Sequence, residues 1–224
     1  MNADTIRTDV RQFYWGLSNG IAVLAVAGAF WLWIGATALS TEWRPLDKYP
    51  VLIDSRQVLG WAAGIAMLAL IIITGAIRVR RKALGFSVRD LRRPELADTV
   101  RVIRHRFRWV SLAQAAGSGL SIWLGLRLHR EDLIWPGIGL VVSLHFLPLG
   151  QLFRMRPYIL AAVAGSMVSG AALLLPTTIL PPSLRFLLIG VGMGLVVWVT
   201  AAYAILHADE LALRCVPGAD QQSQ

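Results

Sequence analysis

The chain has 224 residues, a net charge of +9, 56% apolar and only 16% charged residues, and a mean hydropathy of +0.58. That balance excludes an ordinary soluble domain, which needs no series of apolar runs each near ~20 residues long. The positive charge comes with no nucleic-acid motif, so anionic lipid headgroups are the nearer partner, and the single Cys215 excludes an internal disulfide, a CxxC pair and a cysteine-based zinc site.

Residues 1–16 form a polar N-tail that carries Arg7 and Arg11 and closes on Phe13, Tyr14 and Trp15. The first span is predicted at 17–39, with Trp31 and Trp33 near its far end. A cleaved signal peptide is the competing reading, with Ala36-Thr37-Ala38 as its processing site. The apolar run is long for a signal core and bears tryptophans, which favours a span. In the loop at 40–57, Glu42, Asp47 and Asp54 balance Arg44, Lys48 and Arg56. The second span, 58–77, contains a Gly60-xxx-Gly64 pair, a spacing that lets helix backbones approach closely but is common.

The segment 78–108 that follows holds eleven of the 22 basic residues. Translocating so many cations is unfavourable, so this loop is expected to stay cytoplasmic and to orient the spans around it. Pro94 and Glu95 suit the first turn of a helix. Beyond them Leu96, Val100, Ile103 and Phe107 recur at three- and four-residue spacing. The pattern predicts an amphipathic helix at the inner leaflet, continuous with the third span, whose Arg101, Arg104 and Arg108 reach lipid phosphates.

The third span is predicted at 109–126, with Ala113, Gly117 and Ser121 on one face, and the fourth at 133–153 after a short outer turn. The fifth, 158–175, is rich in Ala, Gly and Ser, and the sixth covers 184–206. A polar C-tail, frayed and cytoplasmic, is expected at 207–224. With this layout sixteen basic residues fall on the inner side and six on the outer. The asymmetry predicts an all-α bundle of six spans in an inner membrane, with both termini cytoplasmic.

Signatures of soluble enzymes are missing from the sequence: it has no GxSxG elbow, Walker loop, GxGxxG after a strand, or HExxH. Gly190, Gly192 and Gly194 lie within an apolar helix and read as helix packing. His207, Asp209 and Glu210 read as solvated residues at a helix end in preference to metal ligands. No catalytic residue, metal or cofactor is expected. The sharpest local feature is in the fourth span, where His145 is the one ionisable residue well inside a predicted span and Pro148 removes the helical donor to the Leu144 carbonyl. Its bland role is a single interhelical hydrogen bond. A functional role would combine a helix bend at Pro148 with polar residues near the same boundary, chiefly Asn19 and Gln114, together with Thr74, Thr200 and Tyr203. The stretch His145-Phe146-Leu147-Pro148-Leu149-Gly150 with Phe153 resembles an HFxPL(A/G)xxF pattern of uncharacterised bacterial integral membrane proteins. The resemblance implies a bacterial membrane setting and no mechanism.

These features predict a non-enzymatic membrane protein with a structural, lipid-interacting or partner-binding role. The alternative is a small transporter or channel with a cytoplasm-facing vestibule around His145. Against it, the first and fourth spans share no matched Pro or Gly break, as an inverted repeat would supply. Partners are the bilayer and anionic headgroups, not nucleic acid, with homo-oligomerisation open.

Overall fold

The computed structural model describes residues 3–37, 55–84, 94–152 and 155–215, with side chains for most of them. The outer loop at 40–57, the arginines at 89, 92 and 93, Phe153, Arg154 and the end of the C-tail lie partly or wholly outside the described residues, as do the side chains of 94–104. Those expectations therefore have no structural counterpart here, including the apolar stripe of Leu96, Val100 and Ile103 and the reach of Arg101 and Arg104.

The described chain is all-helical. It comprises α1 (Ala3–Thr37), α2 (Ser55–Leu84), α3 (Pro94–Arg127), a 3-10 turn (Glu131–Leu133), α4 (Ile134–Leu152), α5 (Arg156–Leu174), α6 (Pro182–Leu206) and α7 (Ala208–Cys215). Five helical stretches are long and apolar enough to cross a membrane: Phe13–Thr37, Leu59–Leu84, Glu131–Gln151, Arg156–Leu174 and Pro182–Leu206. The predicted third span, 109–126, is helical throughout but is not among the five. Gln114 and the serines and glycines around it dilute its apolar residues.

Helix α3 starts at Pro94, where first-turn chemistry placed a start, and runs without a break through 109–126. Helix α2 likewise carries its apolar run on through Arg78, Arg80, Arg81 and Lys82. Both flanks of the basic segment are thus extensions of long helices.

Helix α6 is the hub: it packs against α1 and α5, and also touches α2, α4 and α7. Helix α1 pairs with α2 on its other side, α4 with α5, and α3 with α4. The α1–α6 seam is tight because glycines line it from both helices. A methyl on Gly190 would meet the backbone of Gly35, and one on Gly194 would meet Leu32 and approach the Gly28 carbonyl. Next to this, the Trp198 indole lies over Gly28 and donates from Nε1 to the Ala25 carbonyl at 3.1 Å. Gly192 faces Val168 of α5. The glycines of α6 are packing surfaces, which fits the reading of the sequence.

Helix α3 meets α4 along Gly117, Ser121 and Gly125, which face Val141, Gly137 and Ile134. Gly60 and Gly64 behave differently: among the described residues, no atom of another helix lies within 4 Å of where their Cβ atoms would be. This pair packs against no other described helix. The α3–α4 turn passes through His129 at φ 52°, and Arg130 N–H bonds the Gly125 carbonyl at 2.8 Å, the six-to-one closure of a left-handed helix cap.

One expectation is corrected. The stretch after His207, read as a frayed tail, contains helix α7, which buries Ala208, Leu211 and Ala212 in the core it shares with α1 and α6. Its small apolar residues at three- and four-residue spacing fit a groove, which polarity alone had concealed.

Candidate functional site

His145 sits on α4 at the α3 side of the bundle, half-buried, with its ring edge-on to Phe146 at 6.4 Å. The backbone of Val110 on α3 is beside the imidazole, and Nδ1 is buried with no hydrogen-bond partner among the described residues. Pro148 lies one turn on, and α4 continues through it as far as Leu152. On the other face of α4, Phe146 stacks on Tyr158 of α5 at 5.8 Å and 18°.

Of the polar residues expected around His145, only Gln114 lies on α3, the helix beside the imidazole, one turn beyond Val110; the others are on α1, α2 and α6. Asn19 is exposed on α1, on the stripe that also carries Val23 and Val26. Gln114 is half-buried on α3. Thr74 and Thr200 each donate to the carbonyl four residues back, to Leu70 at 2.8 Å and Val196 at 2.7 Å. Tyr203 stacks on His207 with ring centroids 4.1 Å apart. Arg108 is exposed on α3.

Two charged constellations occupy opposite ends of the bundle. At the end where α2 finishes, Asp209 of α7 accepts from Lys82 of α2 at 2.6 Å and from the Tyr14 hydroxyl of α1 at 2.7 Å. One carboxylate thus ties three helices together. The Lys82 hydrogen bond, helped by that of Tyr14, holds the Asp209 carboxyl below its ordinary value against the opposing effect of burial. Nearby, the Arg80 guanidinium lies over the Trp15 ring at 4.3 Å.

At the other end stands Arg185, which is 1% exposed. Its Nη1 donates to Asp132 Oδ2 at 2.6 Å and its Nη2 to the Leu175 carbonyl at 2.7 Å, while Nε is buried without a partner. Arg130 closes on the same carboxylate, Nε to Oδ1 at 3.0 Å. The cluster joins the α3–α4 turn, the end of α5 and the start of α6.

Sequence reasoning missed this site, because Arg185 had been counted as an outer-face charge. A signal was present: Arg185 is the only basic residue between Arg156 and Arg214, and it follows two prolines at a helix start. A cation so isolated in apolar sequence calls for a carboxylate, and Glu131 and Asp132 are the only ones between Asp98 and Asp209.

The centre of the bundle holds a buried polar contact. Ser143 and Ser169, both fully buried, direct their hydroxyls at the Met193 sulfur at 3.5 and 3.7 Å, and Ser143 also bonds the Gly139 carbonyl at 2.7 Å. Among the described residues no three His, Cys, Asp or Glu side chains come together as metal ligands. Asp209 is engaged with Lys82, and His207 with Tyr203. No known protein family, curated protein or solved structure matches the chain.

Proposed function

We propose that the chain is a six-span bacterial inner-membrane protein, both termini and the basic segment cytoplasmic, with a non-enzymatic role as a helical scaffold that engages anionic lipid. The observation that carries this reading is the way α2 and α3 extend from the bundle into basic sequence without a break. Cations on rigid extensions of apolar helices lie at headgroup depth, where each contributes ~1 kcal/mol of attraction to an anionic surface. Helix α3 supplies the third of the six spans in this reading, held by the Gly117, Ser121 and Gly125 face against α4.

The test is binding of a peptide covering 94–108 to vesicles with and without phosphatidylglycerol. Binding is expected only with the anionic lipid. Replacing Arg101, Arg104 and Arg108 together by Gln removes ~3 kcal/mol and should weaken partitioning about a hundredfold. Equal binding to neutral vesicles would contradict the reading.

A second reading, a small transporter or channel around His145, is favoured by the buried, unpartnered Nδ1. Asn19 on the outer face of α1 weighs against a shared vestibule. If the second reading holds, His145→Gln, which removes titration near neutral pH, abolishes proton flux in vesicles. The scaffold reading expects flux indistinguishable from the parent.

A further inference from the structure

We propose that the groove between α5 and α6, at the end where α7 docks, is a binding site for one anionic glycerophospholipid. The groove has a volume of about 930 Å³, within the ~300–1,000 Å³ range of small-molecule sites. Its walls are Leu160 and Ala164 of α5 and Leu195 and Val199 of α6. The three larger of these are more than half exposed, so the groove opens outward. The polar groups concentrate at one end: Arg156 opens α5, and Tyr203, one turn beyond Val199, faces it from the antiparallel α6.

That distribution selects an amphiphile. From Arg156 to Ala164 the helix rises roughly 12 Å, which gives an apolar trough of that length with a cation at its mouth. A free anion would leave the trough unfilled, and a neutral chain would leave Arg156 without a counter-charge. A lipid phosphate at Arg156 with one acyl chain along Leu160, Leu195 and Val199 satisfies both. The end is also the one where Lys82 and Arg80 lie, beside Asp209 and Trp15, so it faces the leaflet that the basic segment engages. The inference rests on the membrane reading above and is distinct from the headgroup contacts of Arg101, Arg104 and Arg108.

The experiment uses the full chain in phosphatidylcholine vesicles carrying a trace of phosphatidylglycerol with a diazirine in one acyl chain. After photolysis, peptide mass spectrometry maps the adducts. Met67, Leu70 and Ile71 on the exposed face of α2 provide the reference for lipid that merely surrounds the protein. Adducts at Leu160, Leu195 and Val199 should exceed those on α2 by about tenfold, the equivalent of ~1.4 kcal/mol of preference. The excess should fall to the α2 level in Arg156→Gln, and with a diazirine phosphatidylcholine in place of phosphatidylglycerol. Filling the trough with Ala164→Trp should remove the excess while leaving labelling of α2 unchanged. Equal labelling of groove and α2 overturns the site, as does an excess that survives Arg156→Gln or does not depend on the headgroup. Absence of labelling on α2 as well would instead show that the chain does not lie in the bilayer, which separates failure of the membrane reading from failure of the site.

Discussion

Arg185 illustrates what a single residue does in this molecule. A guanidinium removed from solvent is tolerated only because Asp132 neutralises it and the Leu175 carbonyl takes a second donor. Asp132, 14% exposed at its side chain, depends on Arg185 in return. Removing Asp132 leaves the Arg185 guanidinium uncompensated, whereas removing Arg185 leaves Asp132 still paired with Arg130. Asp132→Asn should destabilise the protein by ~3 kcal/mol or more, Arg185→Met by less because Arg130 still holds the carboxylate, and the double substitution by less than the sum. Thermal unfolding of the four proteins in one detergent measures the coupling. Additive losses would show that the pair is not the unit described here. The pairing was only partly legible in the sequence: the isolation of Arg185 could be read, but its partner depends on how the α3–α4 turn meets the start of α6. His145 shows the converse, since its position in a span was legible and its partners were not. Asn19 and Gln114 share its approximate depth, yet which face of a helix looks inward depends on the neighbours it packs against.

At the scale of elements, equal glycine spacing has two different meanings. Gly190 meets the Gly35 backbone, whereas Gly60 and Gly64 face open space. Gly190→Ala should therefore force α1 and α6 apart at a cost of ~1–3 kcal/mol. Gly60→Ala and Gly64→Ala should be neutral or stabilising, since alanine is the better helix former by up to ~1 kcal/mol. Melting temperatures check the contrast, and a large loss at Gly64 would point to packing with a second copy. Helix α7 offers a test by pH. The folded state holds the Asp209 carboxyl below its ordinary value, so its contribution is full above that value and is lost as pH falls through the lowered one. Because the side chain is 67% exposed, the contribution is about 0.2–1 kcal/mol. Asp209→Asn should speed amide exchange across Ala208–Cys215 at pH 7, and the difference from the parent should vanish in strong acid. A difference that persisted there would assign the effect to something other than the ion pair. The sequence revealed the long helices because their apolar runs are self-sufficient signals. It concealed α7, whose helix is short and whose apolar face is made of alanine and leucine.

For the whole molecule, the helices and their approximate limits follow from length and hydropathy, and the proposed direction of insertion rests on the uneven placement of basic residues. Which helices are neighbours does not. Helix α3 follows α2 in the chain, yet it packs on α4 while α2 packs on α1 and α6. That pattern is set by complementary surfaces such as the α1–α6 glycine seam, and one-dimensional hydropathy carries no trace of it. The central claim is that the basic flanks of α2 and α3, and with them α7, lie on the cytoplasmic side of a bacterial inner membrane. Cys215 ends α7 and is the only cysteine in the chain, so it reports that side without any engineered label. A membrane-impermeant maleimide is applied to intact cells, to permeabilised cells and to inverted membrane vesicles. The account predicts labelling of Cys215 in the last two and none in intact cells; labelling in intact cells would contradict it.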